Sequence, residues 1–270
     1  RLLPALRRAG ATHLAFETSL QEPLDRVERE RAVRADAAPY LFDPSRAALL
    51  RAGLDAGLRL VAFDHPADPE ALTDLLRHQD YAALNGLRER WMAENLRRLA
   101  AAEPDARLVA WTGGQHAWKR TPAYYSVPLF DSWARDATMA ALLAEIAGTE
   151  PFCLGQAVAR GAGAARRPGA VRGDHPWAVE HGLDAVLVHF RGARPGRPAW
   201  IDEDRRLVSL PAGGARLVQA LPAGEGPDAV PADQLLVRTD QIEFALPPGD
   251  YVCRGIGDDD QPVWQRSARC

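Results

Sequence analysis

Three short apolar runs, each closing on polar side chains and separated by helical patterns, constrain this chain more than any other feature. THLAF, residues 12–16, ends at Glu17; LRLVAFD, Leu58 to Asp64, ends at the pair Asp64-His65; RLVAW, residues 107–111, runs on into TGGQH and His116. Strands alternating with helices read as an α/β fold with a mainly parallel central sheet flanked by helices. If the three runs are parallel neighbours, Glu17, Asp64 and His116 project from one sheet edge, the edge at which open α/β sheets hold their ligands. Leu108 to Trp111 suits a strand covered on both faces, and Gly113-Gly114 lets the chain turn sharply beyond it.

The helical segments place further charges. Leu2 to Ala9 reads as an amphipathic helix, and Pro44 through Gly57 as another, with Ala48, Leu49, Ala52 and Ala56 at helical spacing and Gly53 and Gly57 as terminators. A long helix from about Asn85 to Ala102 carries Arg88, Met92 and Asn95 on one face and Glu89, Ala93 and Leu96 on the neighbouring stripe. Arg90, Glu94, Arg97 and Arg98 form its solvated side. An arginine on the Met92 side needs a carboxylate or an anionic substrate group to satisfy it.

Composition excludes several classes. The 270 residues, 47% hydrophobic, suffice for a full core. Thirty-three basic against 36 acidic residues give a net charge of -3, no footprint for a nucleic-acid partner. No apolar run is long enough for a membrane span. Cys153, Cys253 and Cys270 are far apart and odd in number, which suggests neither a disulfide framework nor a CxxC metal site and fits a reducing compartment. With no apolar segment after Arg7 and Arg8, no signal peptide is visible, and a cytoplasmic location is expected. Lys119 is the only lysine, which suggests a GC-rich genome.

RERWMAENLRRLAAAEPDARLVAWTGGQHAWK, residues 88–119, resembles the R-[DE]-x-x-M-A-x-N, helix, strand, W-x-x-N-x-H segment of erythromycin esterase-like proteins. It is more distantly similar to the R-[DE]-x-x-M-A and G-x-G-H segments of the ChaN and TIKI proteins, a superfamily of hydrolases and haem-uptake factors. THLAFE and LVAFD resemble family strands ending in acidic residues. TMAALLAEIAGTEPFCLG, Thr138 to Gly155, resembles the S-M-G-x-x-L segment with its following glycine and strand, and GLDAVLVHF, from Gly182, the closing strand. The likeness covers roughly residues 1–192.

Carried over residue by residue, the resemblance implies that Glu17 activates or orients water, that His116 faces it, and that Arg88 and Glu89 are the paired helix charges beneath the same site. A water held between a carboxylate and an imidazole is deprotonated near neutral pH, and an arginine stabilises a developing oxyanion. Asp64 and His65 stand at the proposed edge as substrate-binding residues, and Gln115 offers a side-chain amide to a substrate oxygen. The chain departs from the family in three ways. Glu89 stands where Asp is commoner. GGQH lacks the Asn two before the His. The earlier family strand ending in a G-E-x-x-H type motif does not occur in these residues; a preceding segment that supplied it would keep the hydrolase reading, and its lack would favour a binding or degenerate role.

Metal involvement stays open on the resemblance, because TIKI-like relatives are metal-dependent while a metal-free scheme belongs to the esterases. Glu17 and His116 are legitimate ligands for a divalent Mn, Co or Zn ion. His13, four residues before Glu17, lies too deep in its strand and reads as structural, whereas His175 and His181 read as facing solvent or substrate. The Ala-, Gly- and Arg-rich stretch from Gly155 to Asp174 reads as a solvated loop or a rim of the site, with Arg160, Arg166, Arg167 and Arg172 as its cations.

Beyond Arg197 the texture changes to short apolar or alternating runs punctuated by Pro, Gly and Asp, with GIGDDDQPVW as a hairpin. The expected domains are an α/β core over 1–196 and a small β-rich accessory region over 197–270. The latter carries 12 acidic and 8 basic residues, hence -4, and structural support is its expected role. The expected activity is a bacterial-type hydrolase acting on an ester, lactone or peptide bond of a small molecule or peptide. The alternatives are a metal-dependent peptidase of the TIKI type and a non-catalytic haem or metal binder of the ChaN type.

Overall fold

The computed structural model describes residues 2–34, 43–120, 137–159, 169–172, 174–190 and 205–270. In chain order these give α1 (Leu2–Arg8), β1 (His13–Phe16), α2 (Glu22–Glu30), α3 (Pro44–Asp55), β2 (Arg59–Ala62), α4 (Pro69–His78), α5 (Tyr81–Ala102), β3 (Leu108–Trp111), a 3-10 turn (Gly114–Ala117), α6 (Met139–Ala147), β4 (Leu154–Ala159), β5 (Gly169–Arg172), α7 (Pro176–His181), β6 (Ala185–Phe190), β7 (Arg206–Pro211), β8 (Leu217–Pro222), β9 (Asp233–Leu236), β10 (Gln241–Leu246), β11 (Asp250–Ile256) and β12 (Pro262–Arg269). The class is α/β in the broad sense. The strand pairings form four sheets among the described residues: β2-β1-β3, β4-β6-β5, β10-β7 and β12-β11-β8-β9.

Two compact units result, one of Arg1–Ala9, Glu22–Leu60 and Gly192–Cys270, the other of Gly10–Gln21 and Val61–Arg191. This differs from a division into 1–196 and 197–270, because helices α1 to α3 group with the C-terminal strands. The physical reason is visible at Arg51 of α3, whose Nε and Nη2 donate to the Glu225 carboxylate at 2.5 and 2.9 Å while Nη2 also donates to the Val230 carbonyl at 2.6 Å. Glu225 accepts as well from the Val33 amide at 2.8 Å, and Val230 N donates to Val33 O. Such contacts join residues far apart in sequence and leave no local pattern.

Within that unit α3 is opened by Asp43, whose carboxylate accepts from Ser45 N, with Pro44 preorganised in the first turn. Its buried face is Ala47, Leu50 and Leu54 rather than Ala48, Leu49, Ala52 and Ala56, which are only half-buried. Gly53 lies buried inside the helix, and the reversal falls at Gly57, whose φ of 70° suits glycine. The C-terminal strands are antiparallel, as their turn-rich sequence predicts, and β11 pairs β12 from Asp250↔Arg269 to Ile256↔Pro262 as the expected hairpin. Their core holds Val218, Ala220, Phe244, Leu246, Tyr251 and Cys253.

In the other unit β1 and β3 run parallel with Phe16 opposite Trp111, and their rings stack at 5.0 Å. Among the described residues β3 pairs on one side only, with β1, and it is half-buried to exposed rather than covered on both faces as its composition suggests. Beneath the sheet lie Met92, Ala93 and Leu96 of α5 with Ala15, Val61, Phe63, Met139 and Leu142, so the two stripes expected on the long helix do pack inward. Part of the expected loop between Gly155 and Asp174 is regular: β4 pairs β6 in parallel and β5 pairs β6 antiparallel. Arg160, Arg166, Arg167 and the side chain of Arg172 lie outside the described residues, and with them the expected rim.

Candidate functional site

Glu17 is the first residue past β1, Asp64 lies just past β2, and His116 sits in the 3-10 turn past β3, while Arg88 and Glu89 come from α5. The chain fixes each position locally. Asp64 N donates to Thr18 O at 3.0 Å, and the Asn95 side-chain amide donates to the carbonyls of Phe63 and His65, both at 2.9 Å, clamping the peptides on either side of Asp64. Asn95 is itself steadied by Arg98, which donates to its Oδ1 at 2.7 Å. Gly113 has no side chain to obstruct its neighbours. A Cβ there would stand 3.2 Å from the His116 ring and 3.6 Å from Glu17, so the close approach of the turn to the carboxylate favours glycine.

The charged groups form one connected set. Arg88 grips Asp64 with two bonds, Nε to Oδ1 at 2.8 Å and Nη2 to Oδ2 at 2.6 Å, and Nη2 also donates to Glu17 Oε1 at 2.7 Å. The other Glu17 oxygen accepts from Thr112 Oγ1 at 2.8 Å and from Gly113 N at 2.6 Å. His116 is buried, with Nδ1 2.5 Å from Glu89 Oε1 and Nε2 3.8 Å from Glu17 Oε1. The second Glu89 oxygen accepts from Met139 N, at the start of α6, at 2.6 Å.

Burial alone raises the pKa of Glu17, but the neighbouring His116, the Gly113 amide, the Thr112 hydroxyl and the Arg88 guanidinium together hold it below the ordinary carboxylate value. Arg88 is likewise pushed down by burial and pulled above its usual value by Asp64 and Glu17. The pKa of His65 is lowered by burial and by the Arg98 charge, against the opposing pull of Asp64.

Glu17, Asp64 and His116 thus lie together past three strand ends, and Arg88 and Glu89 of α5 contact them. Gln115 is half-buried on the same turn as His116, and His65 adjoins Asp64 with its carbonyl held by Asn95. Sequence reasoning missed Thr112, whose hydroxyl next to the glycine pair was the available signal, and it missed the Met139 amide, which no side-chain pattern encodes. His13 is buried, 2.8 Å from Thr12 Oγ1 and 3.2 Å from Glu103, as a structural histidine would be. His175 and His181 differ in their surroundings. His175 caps α7 by accepting from Trp177 N, while His181 is buried, bonded to Trp177 O and packed edge-on against Trp118 at 4.1 Å, so it does not face solvent.

No protein-family model, curated protein or solved structure matches the chain. The geometry of the site therefore carries the functional argument.

The donor set does not fit a divalent metal at Glu17 and His116. Both Glu17 oxygens are committed to Arg88, Thr112 and Gly113, and a guanidinium already supplies the positive charge between Glu17 and Asp64. Among the described residues no group of three or more His, Cys, Asp or Glu side chains is arranged to hold a metal ion, and no helix is long and apolar enough to cross a membrane. What the arrangement does offer is an imidazole oriented by one carboxylate and faced by another that is fixed in its ionised form.

Proposed function

We propose that the chain is a hydrolase that cleaves an ester, lactone or peptide bond with water activated at His116. The observation that carries this reading is the line Glu89–His116–Glu17: Nδ1 held at 2.5 Å on one side, Nε2 3.8 Å from a carboxylate oxygen on the other. Two acceptors at that separation are bridged from the side by one water at ordinary hydrogen-bond lengths of about 2.8 Å.

In this scheme Glu17 orients the water and His116 takes its proton. A carboxylate held below its ordinary pKa is a poor base, whereas an imidazole backed by Glu89 accepts a proton at Nε2 and shares the resulting charge. The water oxygen bonds to the carbonyl carbon, the bond to the leaving oxygen or nitrogen breaks, and the proton passes from His116 to the leaving group. Asp64, His65 and Gln115 belong to the proposal as substrate-facing groups. So does a mainly parallel central sheet in which β4 and β6 continue the parallel set of β1 and β3. The engaged Glu17 oxygens and the Arg88 guanidinium favour this reading over a metal-dependent peptidase or a haem binder.

The test is hydrolysis of p-nitrophenyl butyrate, dihydrocoumarin and a dipeptide p-nitroanilide by the wild type, His116→Ala and Glu17→Gln. Turnover of one class that falls at least ~100-fold in both variants, with folding intact, is expected. Turnover unchanged in His116→Ala, or no turnover of any of the three by the wild type, overturns the reading.

A further inference from the structure

A second set of contacts closes a ring behind His116. Trp118 N donates to Gln115 O at 3.0 Å, closing the turn that carries the imidazole. The buried Thr138 hydroxyl donates to the Trp118 carbonyl. Thr138 is also the N-cap of α6, its oxygen accepting from Ala141 N at 3.4 Å and its carbonyl from Leu142 N at 2.9 Å. The next residue, Met139, gives its amide to Glu89 Oε2, and Glu89 Oε1 meets His116 Nδ1. The path runs from His116 through Trp118, Thr138, Met139 and Glu89 back to His116.

We propose that Thr138 is a positioning residue that sets the His116–Glu89 hydrogen bond by tying the turn bearing His116 to the helix whose first amide anchors Glu89. Three features support this role. Trp118 is itself fixed, since its ring packs with Cys153, Ala178, Leu183 and Val186 and lies edge-on to His181, so its carbonyl is a rigid acceptor. Thr138 spends its hydroxyl hydrogen on that carbonyl and its lone pair on the helix, a division of labour open to serine and threonine but not to an aliphatic residue. The Met139 amide has no partner inside its own helix, because it belongs to the first turn, and Glu89 supplies one with a charge of the sign that end of a helix favours. A shift of α6 relative to the turn therefore moves one Glu89 oxygen away from the imidazole as the other follows Met139.

The inference rests on the hydrolase reading for its functional meaning, but its test does not require turnover. The readouts are the downfield Nδ1 proton resonance of His116, identified by its loss in His116→Gln, and the pH titration of the His116 ring followed by NMR. Thr138→Val should lose or broaden the resonance and shift the titration, and Thr138→Ser should restore both. Thr138→Gly serves where valine unfolds the chain, since glycine is a tolerated N-cap that lacks the hydroxyl. On a substrate found by the screen above, kcat should fall about tenfold in Thr138→Val with KM little changed. A folded Thr138→Val or Thr138→Gly that keeps the wild-type resonance and titration overturns the proposal, as does a wild type without the resonance. Loss of the resonance in a protein that hydrolyses nothing leaves the positioning role standing and removes the hydrolase reading alone.

Discussion

Arg88 and Asp64 meet fork to fork, with Nε 2.8 Å from Oδ1 and Nη2 2.6 Å from Oδ2, and the same Nη2 reaches Glu17 at 2.7 Å. One guanidinium thereby joins the ends of two strands through a residue of the helix that packs beneath them. The planar fork matters, because a lysine supplies the charge without the paired bonds.

Removing that cation should destabilise the protein. Arg88→Met leaves Asp64 and Glu17 facing each other without a counter-charge. A fully buried pair broken this way costs ~3–5 kcal/mol. The Arg88 side chain keeps 30% of its surface, so solvent screens part of the loss. A cost of about 2 kcal/mol is expected, and about 1 kcal/mol for Arg88→Lys. Urea midpoints for the three proteins check this; equal midpoints would remove the ion pair from the stability argument.

The same arginine leads to a prediction about metals. With its carboxylates already satisfied, the wild type should take up Mn, Co or Zn only substoichiometrically, and chelator should leave its melting temperature unchanged. Elemental analysis after dialysis against each ion decides the matter, and one bound ion per chain lost in Glu17→Gln would contradict it.

Glu17 makes acid the destabilising direction. Its folded pKa lies below the reference value of 4.5, so between the two values the unfolded chain binds more protons than the folded one, and stability rises with pH there. The contribution is complete above about pH 4.5 and is lost as pH falls through the folded value. Chemical denaturation between about pH 2.5 and 6 should therefore show a steeper acid decline for the wild type than for Glu17→Gln. Parallel curves would rule out Glu17 as the source.

How much of this was legible in the sequence depends on the kind of contact. Glu17, Asp64 and His116 were readable because each follows a strand, whereas helical spacing only put Arg88 and Glu89 on the stripes of Met92 and Ala93, and it was the family resemblance that implied a place for them at the site. Thr112 and the amides of Gly113 and Met139 were not, because a backbone donor belongs to every residue and only the folded chain says which one meets a carboxylate. The exposure of β3 was hidden for a related reason: LVAW is apolar enough for a central strand, and how far a strand is covered is set by what pairs with it and packs on it, not by its own residues. His181 read as facing solvent or substrate beside a polar loop, yet it is buried against Trp118 and Trp177.

Glu89→Gln separates orientation from charge at the proposed base. The variant's side-chain oxygen can still accept from Met139 N, which leaves its amide group facing His116 Nδ1 and favours the tautomer with the proton on Nε2. That tautomer cannot accept a proton from water. Loss of roughly 100-fold or more in kcat/KM is expected with little change in fold, and the loss should not be recovered at higher pH. Full activity would show that Glu89 does not act through His116.

Arg51 and Glu225 supply a prediction for the other unit. Their side chains are 17% and 10% exposed, and Glu225 also holds the Val33 amide, so either partner alone is left as a poorly solvated charge. Glu225→Leu should cost about 3 kcal/mol, and Arg51→Met about as much. The double variant should be less destabilised than the sum of the two, because neither charge then remains without its partner. Additive losses in a denaturation cycle would show that the pair is held by its separate backbone contacts, Glu225 to Val33 and Arg51 to Val230, rather than by the charges meeting. The distinction bears on why α3 groups with strands that follow it by so many residues: a coupled pair makes the helix and the C-terminal strands one cooperative element, whereas additive losses make them two elements that share a boundary.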